Sequence, residues 1–386
     1  MSLNRILNFF TSLRLTVACL CVALLLVFIG TMAQVDEGTY QAQTRYFRSL
    51  FIYWSPKGAD WKIPVFPGGY LIGGVLLINL LAAHAKRFQF TKKKLGIFII
   101  HAGIILLLLG QFGTDLFSTE SAMRLAEGES RNYSENGSES ELVFIDVISD
   151  PKFDQVVAIP QAMLKVGREL RHDKLPITVR VKEFFPNSQL ARAETGEQPA
   201  GNRGAGTNLV AHPLPRVTDS DHRDIPSAIV ELLSPNGSLG TWLVSDWVER
   251  GQTISVGDKS YQMALRLTRY YKPFSLELLK FTHERYSGTD VPKNFASRVH
   301  INNPKTGENR EVLIYMNNPL RYNGETYYQA GFDPNNDKLV NKVTILQVVR
   351  NPGWLTPYFS CVLVALGLIV QFMSHLIGFA RKRRNA

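Results

Sequence analysis

The sequence predicts an α-helical membrane protein with four transmembrane helices plus a large extracytoplasmic, mainly-β domain between the third and fourth helices. Three observations predict it. Four charge-free apolar runs, Leu15–Ala33, Ile63–Ala85, Leu95–Thr114 and Asn351–Ala380, each reach the roughly 20 residues a helix needs to cross about 30 Å of hydrocarbon. Basic residues gather at one end of each run. The long stretch between the third and fourth runs divides into short alternating or β-branched segments separated by turn residues.

Charge placement orients the helices. The chain carries 43 Lys and Arg against 33 Asp and Glu, and eleven of those bases lie in three acid-free blocks, Met1–Thr16, Ala85–Lys94 and Gly378–Ala386. Everything else is near neutral. A nucleic-acid groove needs its bases side by side on the folded body, so nucleic-acid binding is excluded as a reading. The positive-inside rule instead assigns the three blocks to the cytoplasm. This predicts a cytoplasmic N-terminus 1–14, helices over 15–33, 67–85, 95–114 and 354–377, a basic cytoplasmic hairpin 86–94 and a basic cytoplasmic tail 378–386. Residues 34–66 and 115–350 then lie outside, in a multi-pass protein of the cytoplasmic (inner) membrane. Trp61, Phe66 and Tyr70, and likewise Trp354 and Tyr358, fit an outer interfacial belt. Thr31-Met32-Ala33 has the look of a cleavage site, but its apolar core exceeds the roughly 7–15 residues of a signal peptide, which predicts a retained anchor.

Within 115–350, strands are predicted at Leu142–Ile148, Ile177–Phe185, Ala228–Leu233, Gly240–Val248, Tyr261–Thr268, Val312–Met316, Tyr327–Phe332 and Val343–Val349. Asn236-Gly237, Asn323-Gly324 and Asn303-Pro304-Lys305-Thr306-Gly307 supply hairpin turns. Residues 187–226 have no apolar period and read as a long flexible loop. The cysteines, Cys19, Cys21 and Cys361, all fall in helices, so the outer domain has neither a disulfide framework nor a Cys-x-x-Cys pair.

His101 is the leading site candidate. It stands seven residues past Lys94, roughly 10 Å into the bilayer at 1.5 Å per residue. An ionisable side chain at that depth is a functional candidate by default, and a neutral imidazole can ligate haem iron. The alternative is a histidine that only packs between helices. His84 and His375 are weaker candidates, both placed near the cytoplasmic interface. Lys86, Arg87, Lys92, Lys93 and Lys94 could hold anionic groups such as haem propionates or lipid phosphates, or simply orient the hairpin. His172, His212, His222, His283 and His300 show no zinc spacing and read as surface or turn residues. With no nucleophile elbow and no phosphate loop, no catalytic residues are assigned.

The arrangement resembles the ResB/CcsB family of the system II cytochrome c biogenesis pathway over nearly the whole chain. Ser12-Leu13-Arg14-Leu15 through Gly30-Thr31 and Gln34 match the family's first helix, and His101-Ala102-Gly103 through Gly110 its third. Tyr327-Tyr328-Gln329-Ala330, Leu346-Gln347-Val348 and Asn351-Pro352-Gly353 match the approach to the last helix, with Asn351 where the family has Asp. The tryptophan-rich segment of the ResC/CcsA partner is absent, and Trp242 and Trp247 do not reproduce it.

The resemblance implies a membrane subunit, rather than an enzyme in itself, of a haem-attachment (cytochrome c synthase) complex. Working with a ResC/CcsA-type membrane partner, it would help carry haem b across the membrane and present it to apocytochrome c. In that family the third-helix histidine is associated with intramembrane haem, and His101 is the matching position, with the second axial ligand expected from the partner. The competing expectation is a non-catalytic membrane scaffold that docks partner proteins in another complex.

Overall fold

Each apolar run contains one long helix, the second run beginning with a short strand, in the computed structural model of the chain, which describes residues 3–384 apart from 57–60, 88–90, 92–93, 147–153, 195, 218–221, 249, 258, 286, 289–291 and 333–341. Lys92 and Lys93 of the basic hairpin, and Val147 and Ile148 of the first predicted strand, lie outside the described residues. Two compact units result. One is helical, from Met1–Ser118 and Asn351–Ala386; the other is built of strands, from Thr119–Val217 and Asp221–Arg350.

In the helical unit, α1 (Leu3–Phe10) precedes α2 (Leu13–Glu37), and Ser12 separates them. The Ser12 hydroxyl accepts from the Arg14 amide at 3.2 Å, a side-chain cap on a helix whose first amides have no partner within it. Gly38, at φ 75°, ends α2. After it come α3 (Thr39–Ala42), a π-helical turn (Gln43–Phe47) and a hairpin of β1 (Phe51–Trp54) and β2 (Ile63–Pro67). Gly30 of α2 is where the Phe47 ring lands: a Cβ there would sit 2.7 Å from the ring. The glycine of the first-helix motif therefore admits an aromatic side chain.

α4 (Gly69–Arg87), α5 (Leu95–Phe117) and α6 (Thr356–Arg384) complete the unit. All four long helices are long and apolar enough to cross a membrane. They are also inside out by the standards of a water-soluble bundle: Leu24, Phe28 and Phe372 are 74%, 66% and 71% exposed. Such apolar helix surface, repeated on four helices, is matched by lipid rather than by water.

The second unit is mainly β. Its largest sheet has ten strands, eight of them in the order β15-β14-β13-β4-β3-β18-β17-β16. These are β3 (Thr119–Ala126), β4 (Ser130–Asp146), β13 (Lys259–Arg285), β14 (Pro292–Asn303), β15 (Glu308–Tyr315), β16 (Leu320–Tyr322), β17 (Glu325–Phe332) and β18 (Val343–Arg350). β5 (Gln155–Pro160) joins β4, and β12 (Gln252–Val256) joins β13. A smaller sheet runs β11-β10-β7-β6, from β11 (Gly237–Ser245), β10 (Ser227–Ser234), β7 (Leu175–Phe185) and β6 (Glu169–His172).

β13 connects two cores. Its first half gives Tyr261, Met263 and Leu265 to a core shared with the small sheet; its second gives Phe274, Leu276, Leu278 and Phe281 to a core with β3, β14, β17 and β18. The register with β4 breaks between Tyr271 and Leu276, where Pro273 lacks the amide that a ladder needs. A strand of 27 residues serves both cores because this break lets it change direction.

Residues 187–226, expected as one long loop, contain a hairpin of β8 (Ser188–Arg192) and β9 (Leu209–Pro213). Small residues between them approach the neighbouring strand closely: a Cβ on Gly201 would meet the Thr241 carbonyl oxygen at 2.5 Å, and one on Gly204 the Trp242 ring at 2.7 Å. The stretch packs through backbone rather than through apolar side chains, which is why it shows no apolar period.

Candidate functional site

One face of α5 is given over to α6. Gly96, Gly103 and Gly110 recur every seven residues, a spacing that keeps them on one side of the helix. A Cβ on Gly96 would lie 2.6 Å from the Gln371 amide nitrogen, one on Gly103 2.9 Å from the Ser360 carbonyl oxygen, and one on Gly110 2.2 Å from the Thr356 methyl. From α6, Gly367 reciprocates at 2.7 Å from the Ile100 amide nitrogen. Without a hydrophobic drive between helices in lipid, such close backbone approach is the main source of association.

His101 is two residues from Gly103, about 200° around the helix, so it faces away from α6. There it meets His84 of α4. The His101 Nδ1 lies 3.0 Å from His84 Nε2, with ring centroids 4.6 Å apart and planes at 82°. His84 Nδ1 lies 2.9 Å from the Leu80 carbonyl oxygen, one turn back along α4. Both rings are half-buried. Phe98, one turn before His101, flanks His84 at 6.0 Å between centroids.

The order of atoms assigns the protons for a pair of neutral rings. A carbonyl oxygen only accepts, so His84 Nδ1 carries a hydrogen and donates it to Leu80. Neutral His84 then has a bare Nε2, which accepts from His101 Nδ1–H. The remaining nitrogen, His101 Nε2, keeps its lone pair. This assignment follows from the hydrogen-bond pattern.

His375, the third candidate, is not part of this chain of rings. It is exposed on α6, with its Nε2 2.7 Å from Gln371 Nε2 on its own helix. Of the basic hairpin, Lys86 donates to Asn8 Oδ1 and Lys94 opens α5. Other histidines are scattered through the β unit: Lys174 donates its amide to His172 at 3.2 Å, His212 is 4.0 Å from Glu197, His283 stacks on Phe295, and His300 lies 3.6 Å from Glu277.

Asn79 escapes a search for charged residues, being an uncharged amide in an apolar run. It is buried in α4, accepts from the Thr16 hydroxyl at 2.6 Å and donates to the carbonyl oxygens of Phe10 at 2.7 Å and Ser12 at 3.2 Å. One amide thus fastens the α1–α2 junction to α4. The pairing of His84 with His101 also escapes a single-helix reading. Its signal is the similar distance of each ring from the basic hairpin: His84 is three residues before the end of α4, and His101 six after the start of α5. An antiparallel hairpin brings such positions to similar depth.

Residues 236–342, from the turn before β11 to the approach to β18, match the model of the ResB-like family. Over that segment the chain is similar to the ResB-like family. It is also 23% identical over 309 residues to Protein NrfI of Wolinella succinogenes, an alignment that takes in 77% of this chain and 29% of that protein. The chain therefore spans less than a third of the length of that relative. The matched segment lies in the β unit, whereas the histidine pair lies in the helices, outside it.

Other residues that carried the resemblance have structural work in the chain. Gln329 accepts from the Ser297 hydroxyl at 2.6 Å and donates to Thr344 Oγ1 at 2.9 Å, tying β14, β17 and β18 together. Asn351 accepts from the Gly353 amide at 2.9 Å and from Thr114 Oγ1 at 3.4 Å, which fixes the turn into α6 against the end of α5.

Proposed function

We propose that this ResB-like chain is a membrane subunit of a cytochrome c maturation complex, helping to carry haem across the membrane and present it for attachment to apocytochrome c. The reading is supported by family likeness and above all by one observation: His101, on the side of α5 turned away from α6 in an apolar helix, has its Nδ1 engaged by His84 at 3.0 Å, which leaves Nε2 as the nitrogen available to a ligand. Among the described residues, no three His, Cys, Asp or Glu side chains gather to hold a bare metal ion. A single imidazole nitrogen suits a metal that arrives with its own in-plane ligands, as haem iron does.

In this proposal the chain's own groups act in sequence of depth. Lys86 and Lys94, with the tail Arg381, Lys382, Arg383 and Arg384, stand at the cytoplasmic surface to attract the propionates of the cargo. His101 holds the iron within the hydrocarbon, and a ResC/CcsA-type partner covers the open side with the second axial ligand. The β unit, outside, receives apocytochrome c. Both termini are cytoplasmic in this orientation.

A maturation assay tests the proposal. His101→Ala should abolish covalent cytochrome c while the chain still accumulates in the membrane, and added imidazole should restore part of the yield by entering the space left behind. Normal maturation by the alanine variant would refute the ligand role.

A further inference from the structure

We infer that His84 is a positioning residue: by accepting a hydrogen bond from the Nδ1–H of His101 while its own Nδ1–H donates to the Leu80 carbonyl oxygen, it holds His101 in the one neutral tautomer that leaves Nε2 bare. Three groups carry this, Leu80 O, His84 and His101, joined at 2.9 Å and 3.0 Å. The direction of the chain is set at its end, because the Leu80 carbonyl oxygen can only accept. Without His84, the imidazole of His101 would choose between its two nitrogens according to whatever acceptor is near, and half of that choice puts the hydrogen on the ligating atom. Imidazoles that ligate metals characteristically donate their other N–H to an acceptor, which fixes ring orientation and makes the ligating nitrogen more basic. Here the acceptor is a second histidine on the neighbouring helix, itself anchored to backbone, so ring geometry is held from α4. The significance for haem rests on the proposed function above; the tautomer itself does not.

The test uses the full chain in lipid vesicles, free of haem, with histidine nitrogens labelled. Solid-state nitrogen NMR distinguishes protonated from bare ring nitrogens, and loss of a signal in His101→Ala assigns it. The wild-type protein should show His101 only as the Nδ1–H form. His84→Leu should convert that single form into a mixture in which a substantial fraction, on the order of half, is protonated on Nε2. His84→Gln should restore the single form, since its amide can donate to Leu80 and accept from His101. Nε2–H on His101 in the wild type would overturn the inference even if the leucine variant failed to accumulate. So would an unchanged single tautomer in His84→Leu. Because no haem is present, failure here is separate from failure of the ligand role, which the maturation assay reads. In the loaded complex, His84→Leu should raise the iron midpoint potential relative to wild type and His84→Gln, as a less basic ligand stabilises the ferric state less; a potential identical in all three would also count against His84.

Discussion

A Cβ placed on Gly103 of α5 would stand 2.9 Å from the carbonyl oxygen of Ser360 on α6. The two helices touch through backbone at this point, and that contact turns His101 to the opposite face. Gly103→Leu should therefore separate α5 from α6 and lower the melting temperature of the detergent-solubilised protein, at a cost of about 1–3 kcal/mol or more. Gly113→Leu, on the same helix but with nothing within 4 Å of its Cβ position, should melt like the wild type.

The amide of Asn79 is the polar fastener between α4 and the α1–α2 junction. Asn79→Leu keeps the γ-branched shape, with added bulk, and loses all three hydrogen bonds, a loss of about 1–2 kcal/mol for a group between apolar helices. Hydrogen exchange should show faster exchange of amides in residues 3–14, with the β unit unaffected. Unchanged protection there would mean that apolar packing alone holds the junction.

Lys272 and Glu325 form a buried ion pair at 2.5 Å, and the Tyr327 hydroxyl donates to the same carboxylate at 2.7 Å. Burial first, then the neighbouring Glu325 charge, drives the Tyr327 phenol far above its usual pKa, so it remains a donor at any pH the protein meets. Glu325→Leu strands a buried ammonium and should destabilise the β unit by about 3–5 kcal/mol. The double variant Lys272→Met/Glu325→Leu should recover most of that loss in urea unfolding followed by circular dichroism. A double variant as unstable as the single one would contradict this account.

On the small sheet, Glu169 is held below the usual carboxylate range by hydrogen bonds and charge from Arg180, 2.7 Å away. Glu231 is lowered by the Ser238 hydroxyl, then by Lys182 and Arg180. A carboxylate whose folded pKa is depressed contributes stability above its unfolded pKa and loses it as pH falls through the folded one. The β unit should thus weaken on acidification from about pH 5 downward. Arg180→Met should flatten that acid limb of the stability curve, measured by thermal melts across about pH 3–7; these exposed pairs are screened, so the change is modest. An acid limb identical in the variant would remove Arg180 from the account.

How much of this was legible from sequence differs by element. The four long helices were, because hydropathy and basic blocks are long-range signals that tolerate errors at the ends: 95–114 expands to Leu95–Phe117 without changing meaning. Strands with clean alternation, such as β7, β10 and β18, were legible for the same reason. β13 was recognised only over Tyr261–Thr268, since Pro273 interrupts the pattern where the strand bends between its two cores. β8 and β9 left no trace, as backbone contacts of glycine carry no hydropathy. His101 stood out as a lone ring in hydrocarbon, but His84 had the appearance of an interfacial residue because its partner comes from across the basic hairpin. The glycine stripe that aims His101 was legible in part, as the His101-Ala102-Gly103 through Gly110 pattern, but its partner surface on α6 lies about 250 residues downstream and follows no local rule.

The most direct measurement of the central claim is the visible spectrum of the complex purified through this chain, with haem quantified per chain, in wild type and His101→Ala. A low-spin haem signature is expected in the wild type, largely lost in His101→Ala at equal chain recovery, and retained in His375→Ala, whose ring bonds within α6. A His101→Ala complex that keeps the full haem content and an unaltered spectrum would contradict it.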